Sequence, residues 1–138
     1  MKFMDAVKSV FGKYATFSGR ARRSEYWYFV LFNGLIGLAL GFLGSFLGTL
    51  LRSDGVTTFF TVLSSIYSLA VLVPSLAVGV RRLHDIGKAG TNWLFILIPL
   101  VGAILLLVWF AQAGQIGPNQ YGPDPKGNSN PYNQYNQY

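Results

Sequence analysis

Three long stretches of the chain carry no charged side chain: residues 26–51, 56–80 and 91–116. Short polar segments at 52–55 and 81–90 separate them. Each stretch exceeds the roughly 20 apolar residues that cross a hydrocarbon core of about 30 Å. One such run could be the central helix of a soluble domain. Three within 138 residues predict an all-α integral membrane bundle. The expected spans are 26–51, 56–80 and 91–113, a hairpin plus one further transmembrane helix. The four-residue turn between the first two makes them antiparallel neighbours.

Ahead of the first span, Phe3, Val7, Val10, Phe11 and Tyr14 recur at helical spacing among Lys2, Lys8 and Lys13. That pattern predicts a short N-terminal helix lying on an anionic membrane surface. The chain thus divides into a basic N-terminal segment (1–25), a transmembrane domain (26–113) and a polar tail (114–138). The tail is rich in Gly, Pro, Asn, Gln and Tyr. It is expected to be irregular, and disordered beyond about Lys126.

Charge adds an orientation. Only 12% of residues are charged, about half the share of a soluble domain. The net charge of +6 comes from residues at the ends of the apolar runs, so membrane topology explains it and nucleic acid is not an expected partner. Lys2, Lys8, Lys13, Arg20, Arg22, Arg23, Arg81, Arg82 and Lys88 fall on one side under this topology, and only Arg52 and Lys126 on the other. Basic loops stay inside, so the expectation is a multi-pass protein with a cytoplasmic N-terminus. Tyr26, Trp27 and Tyr28 mark the interface where the first span enters. Three spans would carry the tail to the outer side. A basic start followed by a full-length span does not match a cleavable signal peptide, and no cysteine offers redox chemistry.

Within the first span, Gly34, Gly37, Gly41, Gly44 and Gly48 follow 3-4-3-4 spacing. They fall in a stripe of roughly 80°, which in lipid lets a second helix approach closely. The partner is either the second span or another copy of the chain, and a homo-oligomer is expected. The second span sets Thr57, Thr61, Ser64, Ser68 and Ser75 on one face, with Pro74 breaking the helix ladder at the carbonyl of Ala70. Interhelical hydrogen bonding, with a serine satisfying that carbonyl, is the simpler reading. A polar lining for a pore made by several copies is the alternative. No span carries an ionisable residue away from its ends, which argues against an ion-coupled carrier.

The charged residues gather at the cytoplasmic ends of the spans. Arg20, Arg22, Arg23, Arg81, Arg82 and Lys88 are candidate binding residues for anionic lipid headgroups. Glu25, His84 and Asp85 are their possible polar partners. Topology and salt bridges account for the same residues more simply. A third reading makes His84 an interfacial acid or base, with Asp85 or Glu25 behind it. One histidine and so few nearby carboxylates are a thin set for chemistry, so a non-enzymatic protein is the expectation. No catalytic constellation, metal site or cofactor is predicted; the expected partners are membrane lipids and a second copy.

Three segments of this sequence resemble a known bacterial family: FSGRARRSEYW at 17–27, RRLHDIG at 81–87 and NQYGPDP at 119–125. In order and spacing they are similar to the domain-of-unknown-function 805 family of small inner-membrane proteins. The resemblance covers about residues 10–126. It implies a bacterial inner-membrane location and no particular activity. It also singles out Asn119, Tyr121, Gly122, Pro123 and Pro125 in the tail. With three spans, that last motif would lie across the membrane from the arginines and could not share a site with them.

Overall fold

The computed structural model describes residues 1–127. The order is α1 (Phe3–Gly12), α2 (Arg23–Leu50), α3 (Asp54–Asp85), a 3-10 helix (Gly90–Leu97) and α4 (Val101–Ala111). At 1.5 Å per residue, the 28-residue α2 and 32-residue α3 are about 42 and 48 Å long. Both outreach a hydrocarbon core. Their flanks stay apolar and outward: Leu38 is 72% and Leu69 71% exposed. Such surface suits lipid and no aqueous solvent.

The α2–α3 hairpin turns on Arg52, whose φ is 47°. Ser53 N–H donates to Gly48 O at 3.0 Å and Arg52 N–H to Thr49 O at 3.2 Å, a Schellman closure of α2. Ser53 then caps α3 by accepting from Val56 N–H at 3.3 Å. Beside the turn the glycine stripe meets α3. A Cβ on Gly48 would lie 2.0 Å from Thr57 Oγ1, and one on Gly44 2.8 Å from Phe60 Cβ. A Cβ on Gly34, Gly37 or Gly41 would meet nothing within 4 Å. The stripe is therefore divided: its end beside the turn closes the hairpin and its end toward the start of α2 is open. There Ser64, Ser68 and Ser75 line a cleft of about 300 Å³ with Asn33, Gly37 and Tyr67, and Tyr67 O–H donates to Asn33 Oδ1 at 2.7 Å.

Pro74 sits inside α3 as the pattern required. The Ala70 carbonyl, however, is taken by the hydroxyl of Tyr14 rather than by a serine. The reason is that α1 does not lie free on a surface. Its Ala6, Val7 and Val10 are buried, and Phe11 meets Phe29 edge-on at 5.5 Å, so the helix docks on α2 and delivers Tyr14 to α3.

The third apolar stretch is not one continuous helix. Gly90 and Trp93 pack back on α3, where a Cβ on Gly79 would lie 2.2 Å from Trp93 Cζ2 and one on Gly90 2.8 Å from Val80 Cγ1. The chain reverses at Pro99 and Leu100, whose φ is 62°, and α4 returns toward the end it left. The reversal satisfies its own backbone: Ile98 N–H reaches Phe95 O, Gly102 N–H reaches Ile98 O and Val101 N–H reaches Pro99 O. Pro99 has no N–H to lose. The 8-residue 3-10 leg and the 11-residue α4 each measure about 16 Å, half a hydrocarbon core. The predicted span 91–113 is thereby corrected to a helical hairpin. Proline and a left-handed residue at its centre allow the bend, and the packing described below fixes it.

Candidate functional site

Both buried clusters lie at the charged end of the bundle. Val10, Ala21, Phe29, Val71 and Val78 form one; Leu83, Leu106 and Phe110 form the other, backed by Tyr26, Trp27 and Trp93. Between and above them the arginines are inside the protein, not on its surface. Arg20, Arg81 and Arg82 are 5%, 1% and 0% exposed.

Each buried guanidinium ties separate segments together. Asp85 receives Arg20 on Oδ1 at 2.9 Å and Arg82 on Oδ2 at 2.6 Å. Arg82 Nε donates to Phe110 O at 3.1 Å, and its Nη2 to Gln112 O. These carbonyls belong to the C-terminal end of α4, where helix carbonyls lack partners and the dipole is negative. Trp27 Nε1 shares Phe110 O at 3.1 Å, and Arg23 Nη1 reaches Ala111 O at 3.3 Å. Three side chains from two other helices thus cap α4. Arg20 fastens the next segment, with Nη1 on Gly117 O at 2.6 Å and Nη2 on Gln115 O. Arg81 binds Glu25 at 2.8 Å and Thr16 O at 3.1 Å, and Ser9 donates to the same carboxylate oxygen at 3.0 Å.

The segment 114–127 joins this knot. A Cβ on Gly114 would collide with the Asp85 carboxylate at 2.0 Å. Gln115 N–H donates to Asp85 O at 2.8 Å, and Asn119 Nδ2 to His84 O at 2.9 Å. Tyr121 stacks flat on the His84 ring, centroids 3.9 Å apart. Gly117 N–H donates to Asp124 Oδ2 at 2.9 Å. His84 Nδ1 lies 2.9 Å from Gly19 O; a carbonyl only accepts, so Nδ1 carries the proton. Among the described residues His84 bonds no carboxylate, so the acid–base pairing of His84 with Asp85 or Glu25 is not assembled. Buried charges of this kind need pairing, and the ion pairs of Arg20, Arg81 and Arg82 tie separate segments of the fold together.

A family model described as "Protein of unknown function (DUF805)" matches residues 14–123. The chain belongs to the DUF805 family. Inner membrane protein YhaI of Escherichia coli (strain K12) is 42% identical over 122 residues, covering 88% of this chain and 96% of that protein. Inner membrane protein YhaH of the same strain is 42% identical over 123 residues, covering 89% and 98%. No solved structure matches. With two apolar helices of membrane-crossing length, this DUF805 chain is a helical inner-membrane protein.

The three DUF805-like segments of the sequence meet in one knot. Of the residues expected to bind anions, Arg20, Arg81 and Arg82 are engaged inside it. Arg23 caps α4, and Lys88 sits 4.8 Å over the Trp109 ring. Among the described residues neither Arg22 nor Lys88 has a side-chain hydrogen bond or ion pair, Lys88 making only that ring contact. The expectation that the 119–125 motif stands apart from the arginines is corrected by their direct contacts. Trp27, expected only as an interface residue, also caps α4, and the close approach at Gly114 was not anticipated. A glycine directly after an apolar run was the available signal for a close approach. The tail expected to be disordered beyond Lys126 lies, apart from Gly127, outside the described residues.

Proposed function

We propose that this protein is a non-enzymatic inner-membrane scaffold built from two spans and a re-entrant helical hairpin, with the N-terminus and the 114–127 segment both cytoplasmic. The observation that carries the reading is Arg82 on the carbonyls of Phe110 and Gln112. It ties the end of α4 to the end of α3, so the third apolar stretch enters and leaves on one side. Orientation follows from charge: every Lys and Arg except Arg52 then falls at or near the knotted end, and basic segments remain inside. The hairpin's two half-length legs suit a segment that reaches the bilayer midplane and returns. Its backbone is satisfied internally, as hydrocarbon demands.

Because the chain has no cysteine, single substitutions report sidedness cleanly. Lys8→Cys, Asp54→Cys, Ala89→Cys and Lys126→Cys should be treated with a membrane-impermeant maleimide in intact spheroplasts. Only the Asp54 variant should label before permeabilisation. Labelling of the Lys126 variant from outside would restore three full spans and end the re-entrant reading.

Self-association is the second part of the proposal, supported by the open glycines at 34, 37 and 41. A Gly37→Leu, Gly41→Leu double variant should lose oligomers resolved in mild detergent. The Gly44 and Gly48 positions, being used within the chain, are not informative for this purpose. An unchanged oligomer in the double variant would place the copy–copy contact elsewhere.

A further inference from the structure

Between α1, the residues that lead into α2 and the 123–125 turn lies a cleft of about 300 Å³, the lower end of small-ligand size. Ser9 of α1 and Lys13 just after it, Arg20 and Arg22, and the carboxylates of Glu25 and Asp124 are among its lining residues. We propose that this cleft binds a phosphate group, borne by an anionic lipid headgroup or free in the cytoplasm, with Arg22 and Lys13 as its principal ligands. The proposal deepens the scaffold reading by naming what its charged end holds.

Four features converge there. First, the two carboxylates are already occupied: Glu25 accepts from Arg81 and Ser9, and Asp124 accepts from Gly117 N–H and Lys126 N–H. Second, the ion pairs of the knot involve Arg20, Arg81 and Arg82, which leaves Arg22 and Lys13 without an ion-pair partner among the described residues. Third, Arg22 Nε, on the cleft, and Arg81 Nη2, behind Glu25, are buried donors with no acceptor among the described residues. Arg81 is 99% buried by residue, and its other terminal nitrogen holds the Glu25 carboxylate that lines the cleft. Native interiors leave few such donors unmatched, and a bound oxygen-rich anion is a standard resolution. Fourth, Arg22 is the N-cap of α2 and provides no side-chain cap. The positive end of a long helix therefore starts at the same residue, with no side-chain cap on it. Guanidinium, ammonium and helix N-terminus together select a tetrahedral oxyanion over a neutral or cationic group.

The test uses the full-length protein in nanodiscs of equal phosphatidylglycerol and phosphatidylcholine, released for native mass spectrometry. The unmodified protein should retain phosphatidylglycerol over phosphatidylcholine. Arg22→Gln and Lys13→Gln should each weaken that retention about tenfold, the loss of one charge-assisted bond. Lys2→Gln, exposed and outside the cleft, should leave it unchanged. Inorganic phosphate added as competitor separates the sources: displacement of the lipid assigns a site for free phosphate, and persistence assigns a headgroup site. Equal retention by Arg22→Gln and the unmodified protein overturns the proposal, as does equal retention of the two lipids. Should Arg22→Gln fail to fold, judged by circular dichroism, Lys13→Gln, at the exposed position that follows α1, carries the same decision. Since the readout is lipid retention and not sidedness, this result and the maleimide result can fail independently.

Discussion

Arg82→Gln is expected to destabilise the protein by about 3–5 kcal/mol, the cost of breaking a buried ion pair from one side. The side chain is fully buried and bonds Asp85, Phe110 O, Gln112 O and Ala21 O. Removing it leaves the Asp85 carboxylate half-paired and uncaps the C-terminal end of α4. Thermal unfolding in a mild detergent measures the loss. Arg82→Lys should not restore stability, because one ammonium cannot span a carboxylate and carbonyls of another helix as the planar fork does. Arg23→Gln, an exposed residue with one long bond to Ala111 O, should cost well under about 1 kcal/mol. Equal stability of Arg82→Gln and the unmodified protein would mean that apolar packing alone holds the hairpin.

The second large effect is expected at Gly102, and its sign discriminates between two folds. In a continuous helix through 91–113, Gly102→Ala would stabilise by about 1 kcal/mol, since alanine is the better helix former. In the hairpin a Cβ at Gly102 would lie 1.6 Å from the Phe95 carbonyl oxygen and 2.7 Å from its carbon. Backbone cannot step aside as a flexible side chain can, so the turn between the 3-10 helix and α4 has to open. The expected result is destabilisation at or above the roughly 1–3 kcal/mol of an overpacked core. Gly34→Ala is the control: it lies inside α2 with open space around it, and should be neutral or mildly stabilising. A stabilised Gly102→Ala protein would reinstate the unbroken third helix.

Most of the architecture was written in local pattern. Charge-free runs of membrane length, a polar turn and basic flanks determine helices, their antiparallel pairing and the family motifs without reference to contacts. The proline in α3 was legible for the same reason, since it depends on one residue's own geometry; which glycines of the stripe pack on α3 was not. The third stretch was not legible. Its length and hydropathy equal those of a span, and hydropathy does not record direction. Only Trp93 on Gly79, Gly102 on Phe95 and the guanidinium of Arg82 on α4 decide that it turns back.

The charged residues followed the same division. Their positions at the ends of the helices came from sequence, because desolvation keeps charges out of hydrocarbon. Which of them pair with one another and which do not was decided by tertiary structure alone. Arg20, Arg81 and Arg82 look no different from Arg22 in the sequence. They differ because Asp85, Glu25 and the carbonyls of a distant segment converge on them, while nothing in the described chain converges on Arg22.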